Sequence, residues 1–141
     1  MMRLVLDTDV LYAGIRSGKG ASRQLLMAIL DRRAEILLST SLIVEYEAVL
    51  TRPAFLAETG IAAEDILAIL DDLAGLCVPV AFDYRWRPLS RDANDDLVLE
   101  TAINGGANAI ATFNVADIAD GAARFNILAA RPAALLKGLY S

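Results

Sequence analysis

The chain opens on a strand that ends in an acid. Leu4-Val5-Leu6 form a short apolar run behind Arg3 and stop at Asp7, with Thr8-Asp9-Val10-Leu11-Tyr12 following. A few apolar residues closed by polar ones read as a buried strand. Asp7 then lies at the carboxyl end of that strand, where open α/β sheets bind their ligands. A carboxylate there is costly to bury unless a cation, hydrogen bonds or protonation compensates it. What the chain can be depends on whether other acids converge on Asp7.

The rest of the sequence alternates strands with helices. Thr8–Ile15 predicts a short helical turn, ended by Ser17-Gly18-Lys19-Gly20, and the stripe Leu25, Leu26, Ile29, Leu30 predicts a helix over Ser22–Arg33. Glu35–Ser39 predicts a second strand. Thr40 or Ser41 can cap a helix running from about Leu42 to Thr51, which stops at Arg52-Pro53. Beyond Gly60, Ile66, Ile69, Leu70 and Leu73 mark one face of a helix over Glu64–Leu76. Val78–Phe82 predicts a third strand, with Pro79 favouring a sheet edge or strand start. After the polar loop Asp83–Arg91, a helix spans Asn94–Asn104 and ends at Gly105-Gly106. Ala109–Thr112 and Asn126–Ala129 predict strands four and five, and a last helix follows Pro132. This order predicts an α/β fold, a mainly parallel central sheet of about five strands with helices on both faces. With 141 residues and no linker or repeat, one domain over residues 1–141 is expected.

Composition narrows the chemistry. The chain has no histidine, which removes Ser-His-Asp and Cys-His pairs and imidazole metal ligands. Cys77 is the sole cysteine, so it makes no internal disulfide or thiolate metal site and is expected to be a small buried hydrophobe. Acid chemistry falls to carboxylates, and a cation held by oxygen ligands would be a hard one, Mg2+ or Mn2+. A net charge of -5 argues against gripping nucleic acid by bulk charge. It leaves room for a nuclease, because bound cations and a local arginine group invert the sign of a site. No apolar run approaches the ~18 residues of a membrane span, and the opening run meets Asp7 too soon for a signal peptide. A soluble cytoplasmic protein is the expectation.

Among the acids, periodicity singles out Asp95. At ~100° per residue, Val98, Leu99, Ala102 and Ile103 form one face of the helix from Asn94. Asp95 lies in the middle of that face, one turn before Leu99, while Asp96 lies toward its edge on a row with Glu100. The alternative is that Asp92, Asp95 and Asp96 simply cap the helix and favour its dipole. Glu45 and Glu47 both flank the stripe of Leu42, Tyr46, Val49 and Leu50, and periodicity does not choose between them. Asp117 follows the fourth strand by five residues, in a carboxyl-end loop or as a turn or N-cap residue.

At this point the sequence resembles a family. A strand ending in Leu6-Asp7-Thr8-Asp9-Val10-Leu11 is similar to the opening of PIN domains, metal-dependent ribonucleases that often serve as VapC-like toxins in bacterial toxin–antitoxin pairs. Ser39 to Pro53 resembles the family's second segment, with Glu45 at its acidic position. Ser90 to Ala102 resembles the third, whose metal-site aspartate matches Asp95, and Thr112-Phe113-Asn114-Val115-Ala116-Asp117 resembles the fourth. The likeness runs from Leu4 to about Leu136. Many members carry an aspartate where Asn114 stands, which lowers the charge at that position here.

The resemblance implies hydrolysis of RNA phosphodiester bonds at a Mg2+ or Mn2+ site held by Asp7, Glu45, Asp95 and Asp117. Thr8 would bond a water or carboxylate beside the metal, and Asn114 would orient a water or meet the scissile phosphate. Arg85, Arg87 and Arg91 are candidates for RNA phosphate contacts, with a solvated loop as the alternative. A cognate antitoxin and a homodimer are the implied partners, and the helices Ser22–Arg33 and Glu64–Leu76 are candidates for the exposed apolar surface. Two other readings remain. Asp7-Thr8-Asp9 fits the Asp-x-Asp opening of haloacid-dehalogenase-type phosphatases, but Lys19 and Lys137 are the only lysines to serve as their basic residue. A non-catalytic PIN-like domain that binds RNA or protein is the third.

Overall fold

The structure is a computed structural model that describes residues 1–81 and 93–140, apart from the side chains of residues 93–95 and 140. Strands β1 (Arg3–Leu6), β2 (Glu35–Leu38), β3 (Val78–Pro79), β4 (Ala109–Ala111) and β5 (Leu128–Ala130) form one sheet. Its order is β3-β2-β1-β4-β5, and every pairing is parallel. β1 lies at the centre, which is why its residues after Arg3 are all apolar: Leu4, Val5 and Leu6 are at most 1% exposed. Pro79 lacks a ladder donor and sits, as expected, on an edge strand. The arginines Arg85, Arg87 and Arg91 lie outside the described residues.

Among the described residues, eight helices surround the sheet: α1 (Thr8–Arg16), α2 (Ala21–Leu30), α3 (Thr40–Leu50), α4 (Pro53–Thr59), α5 (Ala63–Leu76), α6 (Ala93–Gly105), α7 (Val115–Ala123) and α8 (Pro132–Tyr140). The chain steps one way across the sheet from β1 to β3, then crosses to β4 and steps the other way to β5. Right-handed crossovers therefore put α1 to α5 on one face and α6 and α7 on the other. The expected two-sided α/β layering is what forms. Among the described residues, no helix is long and apolar enough to cross a membrane.

Several elements differ from the sequence reading, each for a local reason. α1 is a full helix rather than a turn, because Asp7 caps it. Pro53, which ends α3, also starts α4 from its first turn, and Gly60 closes that helix at φ 70°. α7, which the sequence reading leaves out, buries Ile118, Gly121 and Ala122, a face with one large side chain. β5 begins two residues late because Asn126 turns at φ 59°. Cys77 is half-buried rather than fully buried. Leu26 belongs to the core, whereas Met27 and Leu67 are the exposed apolar side chains of α2 and α5.

Gly105 ends α6 where a side chain would force Val80 and Leu37 to shift. A Cβ there would lie 2.7 Å from Val80 Cγ2 and 2.9 Å from Leu37 Cδ1, so α6 crosses the sheet at close range. That close crossing corrects the reading of the Asp96–Glu100 row. Placed at the edge of an apolar stripe by periodicity, Asp96 is only 5% exposed and Glu100 is fully buried. α6 packs against β1, β2 and β4 and also against α3 and α7, so its flanks are covered as well as its centre.

Candidate active site

The register of the sheet builds the site. Leu6 pairs with Ala111, and Ala111 with Ala130, so Asp7, Thr112 and Arg131 follow side by side at the carboxyl edge of β1, β4 and β5. The Asp7 N–H donates to Ala111 O at 2.8 Å and the Thr112 N–H to Ala130 O at 3.0 Å, which extends the ladder to these residues. α1, α3 and α7 start directly after β1, β2 and β4, so their amino ends gather at this edge. α6 runs back toward β4, which brings its amino end here too. Helix amino termini carry partial positive charge and favour carboxylates nearby.

Asp7 is 6% exposed and fully engaged. Its Oδ1 accepts from the Thr8 N–H at 2.8 Å as the α1 cap, and its Oδ2 accepts from the Thr112 hydroxyl at 2.7 Å. The same hydroxyl oxygen accepts from the Asn114 N–H at 2.9 Å, so one buried side chain ties the carboxylate to the loop after β4. That loop also reaches Asp9, whose Oδ2 accepts from the Phe113 N–H at 3.1 Å. The Asp9 Oδ1 is buried without a hydrogen-bond partner among the described residues. Burial, and then the charge of Asp7, push the Asp9 carboxyl up to about 6, against backbone hydrogen bonds from Phe113 and Val10 that pull it down.

α3 joins the site from the other side of β1. The Tyr46 hydroxyl donates to Leu6 O at the strand's last residue, and burial and then the Asp7 charge hold that phenol well above its ordinary range. Glu45 precedes this anchor and is half-buried; Glu47 follows it and is exposed, so the structure separates the two glutamates where periodicity did not. The amino end of α3 is fixed to α6 by Ser39, which accepts from the Leu42 N–H at 3.2 Å and lies 2.8 Å from the Thr101 hydroxyl. Thr101 spends its proton on Leu97 O, so Ser39 is the donor between them.

The other sequence candidates are distributed around this centre. Thr8 is half-buried and supplies the amide that caps Asp7. Asn114 caps α7 without a side-chain hydrogen bond and is exposed, as is Asp117 in the first turn of α7. Asp95 lies in the first turn of α6, and its side chain is outside the described set. Among the described residues no three acids form a ready-made cation site. What they offer is a pair of acids, Asp7 and Asp9, with one buried oxygen unsatisfied and one carboxyl destabilised in its charged form. An all-oxygen donor set of this kind fits a hard divalent cation.

Thr112 and Tyr46 carry the geometry, and neither was assigned a role from the sequence. A polar residue closing the fourth apolar run was a visible signal for Thr112, but only the strand order sets it beside Asp7. Asp9 receives no role from the resemblance, yet it is the acid whose charge couples to Asp7.

The raised carboxyl of Asp9 predicts a pH-dependent stability difference. Its folded value lies above its unfolded one, so the native state holds the extra proton between about pH 4 and 6 and loses relative stability as pH rises through that window. Asp9→Asn is therefore expected to raise Tm at pH 7.5 in EDTA, with the gain over wild type shrinking toward pH 4. An equal difference at both pH values in paired thermal melts would contradict this.

A family model described as PIN domain matches residues 3–116. VapBC2 from Rickettsia felis, in a crystal structure with a DNA fragment from their promoter, is similar at a TM-score of 0.58 and 16% identity, over 91% of this chain and 97% of that one. FitAcB from Neisseria gonorrhoeae is similar at a TM-score of 0.58 and 17% identity, over 92% of this chain and 97% of that one. No curated protein matches the sequence significantly.

Proposed function

The chain belongs to the PIN-domain family, and on that premise we propose that it is a Mg2+- or Mn2+-dependent endoribonuclease, the toxin of a toxin–antitoxin pair. The observation that carries the reading is the Asp7–Asp9 pair at the carboxyl end of the central strand, clamped by the loop after β4 through Thr112 and Phe113. The family match replaces the phosphatase reading of Asp7-Thr8-Asp9.

Asp7, Glu45, Asp95 and Asp117 would hold the cation, directly or through water. When bound, the cation would supply activation of a water at neutral pH and neutralisation of charge on the phosphate. The chain's own residues set this up. Thr112 and the Thr8 amide fix the Asp7 carboxylate in one orientation, so little reorganisation is left at the moment of reaction. Asn114, exposed at the start of α7, is suited to hydrogen-bond a phosphate oxygen or an attacking water. Asp9 adds negative charge beside Asp7, which draws a cation in and disfavours an empty, fully ionised pair. Arg85, Arg87 and Arg91 are proposed to hold RNA phosphates on either side of the cut. The likeness to the VapBC2 and FitAcB assemblies supports a cognate antitoxin as the protein partner.

The test is RNA cleavage by the purified protein with Mn2+, Mg2+ or EDTA, alongside calorimetry with Mn2+. Cleavage that requires a divalent cation is the expected result. Asn114, in place of the family's frequent aspartate, favours one rival, a PIN-like binding module. Absence of both cleavage and Mn2+ binding would decide for that module.

A further inference from the structure

Beside the carboxylates lies a cavity of about 260 Å³ with mostly apolar walls. Phe113, Arg131 and Pro132 line it together with residues of α1 and of the start of α2, among them Ala13, Ser17 and Ala21. This volume is below the ~300–1,000 Å³ of sites for drug-sized ligands, a scale that suits one heterocycle.

Its position follows from the strands. Arg131 comes directly after β5 and Thr112 directly after β4, so Asp7, Thr112 and Arg131 occupy successive places along the carboxyl edge. At ~4.8 Å between neighbouring strands, the Arg131 backbone stands about 10 Å from that of Asp7. Arg131 makes no ion pair among the described residues. Phe113 is anchored by its own backbone, whose N–H is held by Asp9, while the residue is 39% exposed. A large aromatic left this open, one residue from the Asp7 clamp, is available to stack on a planar ligand.

We propose that this cavity receives an unstacked base of single-stranded RNA, one nucleotide from the bond to be cut, with Phe113 stacking on the base and Arg131 pairing with the adjoining phosphate. The assignment rests on the nuclease reading above and adds to it a subsite for substrate. Stacking on an aromatic ring tolerates any base, so Phe113 contributes affinity and position rather than sequence choice. The backbone bond from Phe113 to Asp9 survives substitution of the side chain, which separates the ring from the carboxylate arrangement.

The experiment measures fluorescence anisotropy of a labelled ten-nucleotide RNA of random sequence. It uses full-length protein carrying Asp95→Asn to prevent cleavage, with Phe113→Ala, Phe113→Trp or Arg131→Gln added. Phe113→Ala is expected to weaken binding about 10-fold and Phe113→Trp to restore it. Arg131→Gln is expected to flatten the salt dependence by a slope of about 0.7, one phosphate's worth. Unchanged affinity in Phe113→Ala, or no RNA binding by the parent, overturns the proposal. Cleavage by wild type and by Phe113→Ala is followed in parallel. Equal cleavage by the two removes the base site and leaves the nuclease standing. Phe113-dependent binding by a protein that never cleaves removes the nuclease and leaves the base site standing.

Discussion

Asp7→Asn is expected to leave a folded protein and to lower the proposed metal-dependent RNA cleavage at least about 1,000-fold, ~4 kcal/mol of lost transition-state stabilisation. The fold survives because each hydrogen bond has a neutral replacement. Asparagine caps helices as well as aspartate does, and its amide oxygen can keep the Thr8 N–H bond. Its amide nitrogen then faces the Thr112 hydroxyl, whose oxygen already accepts from Asn114 and has a second lone pair to offer. Only the charge is removed. Because the Asp7 charge helps to raise Asp9, the variant also lowers the Asp9 carboxyl from about 6, a change that NMR titration reads without any assay of activity. Asp95→Asn is expected to lose cleavage on the same scale, as the third family segment implies. Full activity in either purified variant, with contaminating nuclease excluded, would refute the carboxylate mechanism.

The parts of the fold legible in the sequence are those written as hydrophobic period. β1, β2 and β4 are short apolar runs that must be buried, and α2, α3 and α5 carry stripes that can point only at a sheet. An element written mostly in small residues was hidden: α7 buries Ile118 as its one large side chain, beside Gly121 and Ala122. α6 was found, but its buried width was not. A stripe measures the side chains that prefer burial, whereas Asp96 and Glu100 are enclosed because neighbouring elements close over the helix flanks. The site shows the same division. Asp7 was legible because an acid ends a buried run, whereas Asp95 rests on the helical period and the family segment alone, its side chain being outside the described residues. Thr112 and Arg131 were not, since their places depend on strand order and register, which no local pattern encodes.

Thr112 is where that long-range information has its largest consequence. Thr112→Val keeps the branched shape in a fully buried position and deletes one hydroxyl. Two hydrogen bonds go with it, the one to Asp7 Oδ2 and the one from the Asn114 N–H. Asn114 is exposed and its amide can turn to water, but Asp7 is almost enclosed and its Oδ2 loses the hydroxyl that holds it. The expected loss of stability is about 2 kcal/mol, within the range for a buried group deprived of its partner. Mn2+ affinity is expected to fall about 10- to 100-fold, since the carboxylate is no longer held in orientation. Thr112→Ser, which retains the hydroxyl, should recover most of the affinity while losing only the methyl group's packing. Calorimetric titration with Mn2+ beside thermal melts separates the two roles. A Thr112→Val protein that melts lower yet binds Mn2+ like wild type would make the hydroxyl a strut of the fold alone, and the orientation of Asp7 would then be set by its helix-capping bond.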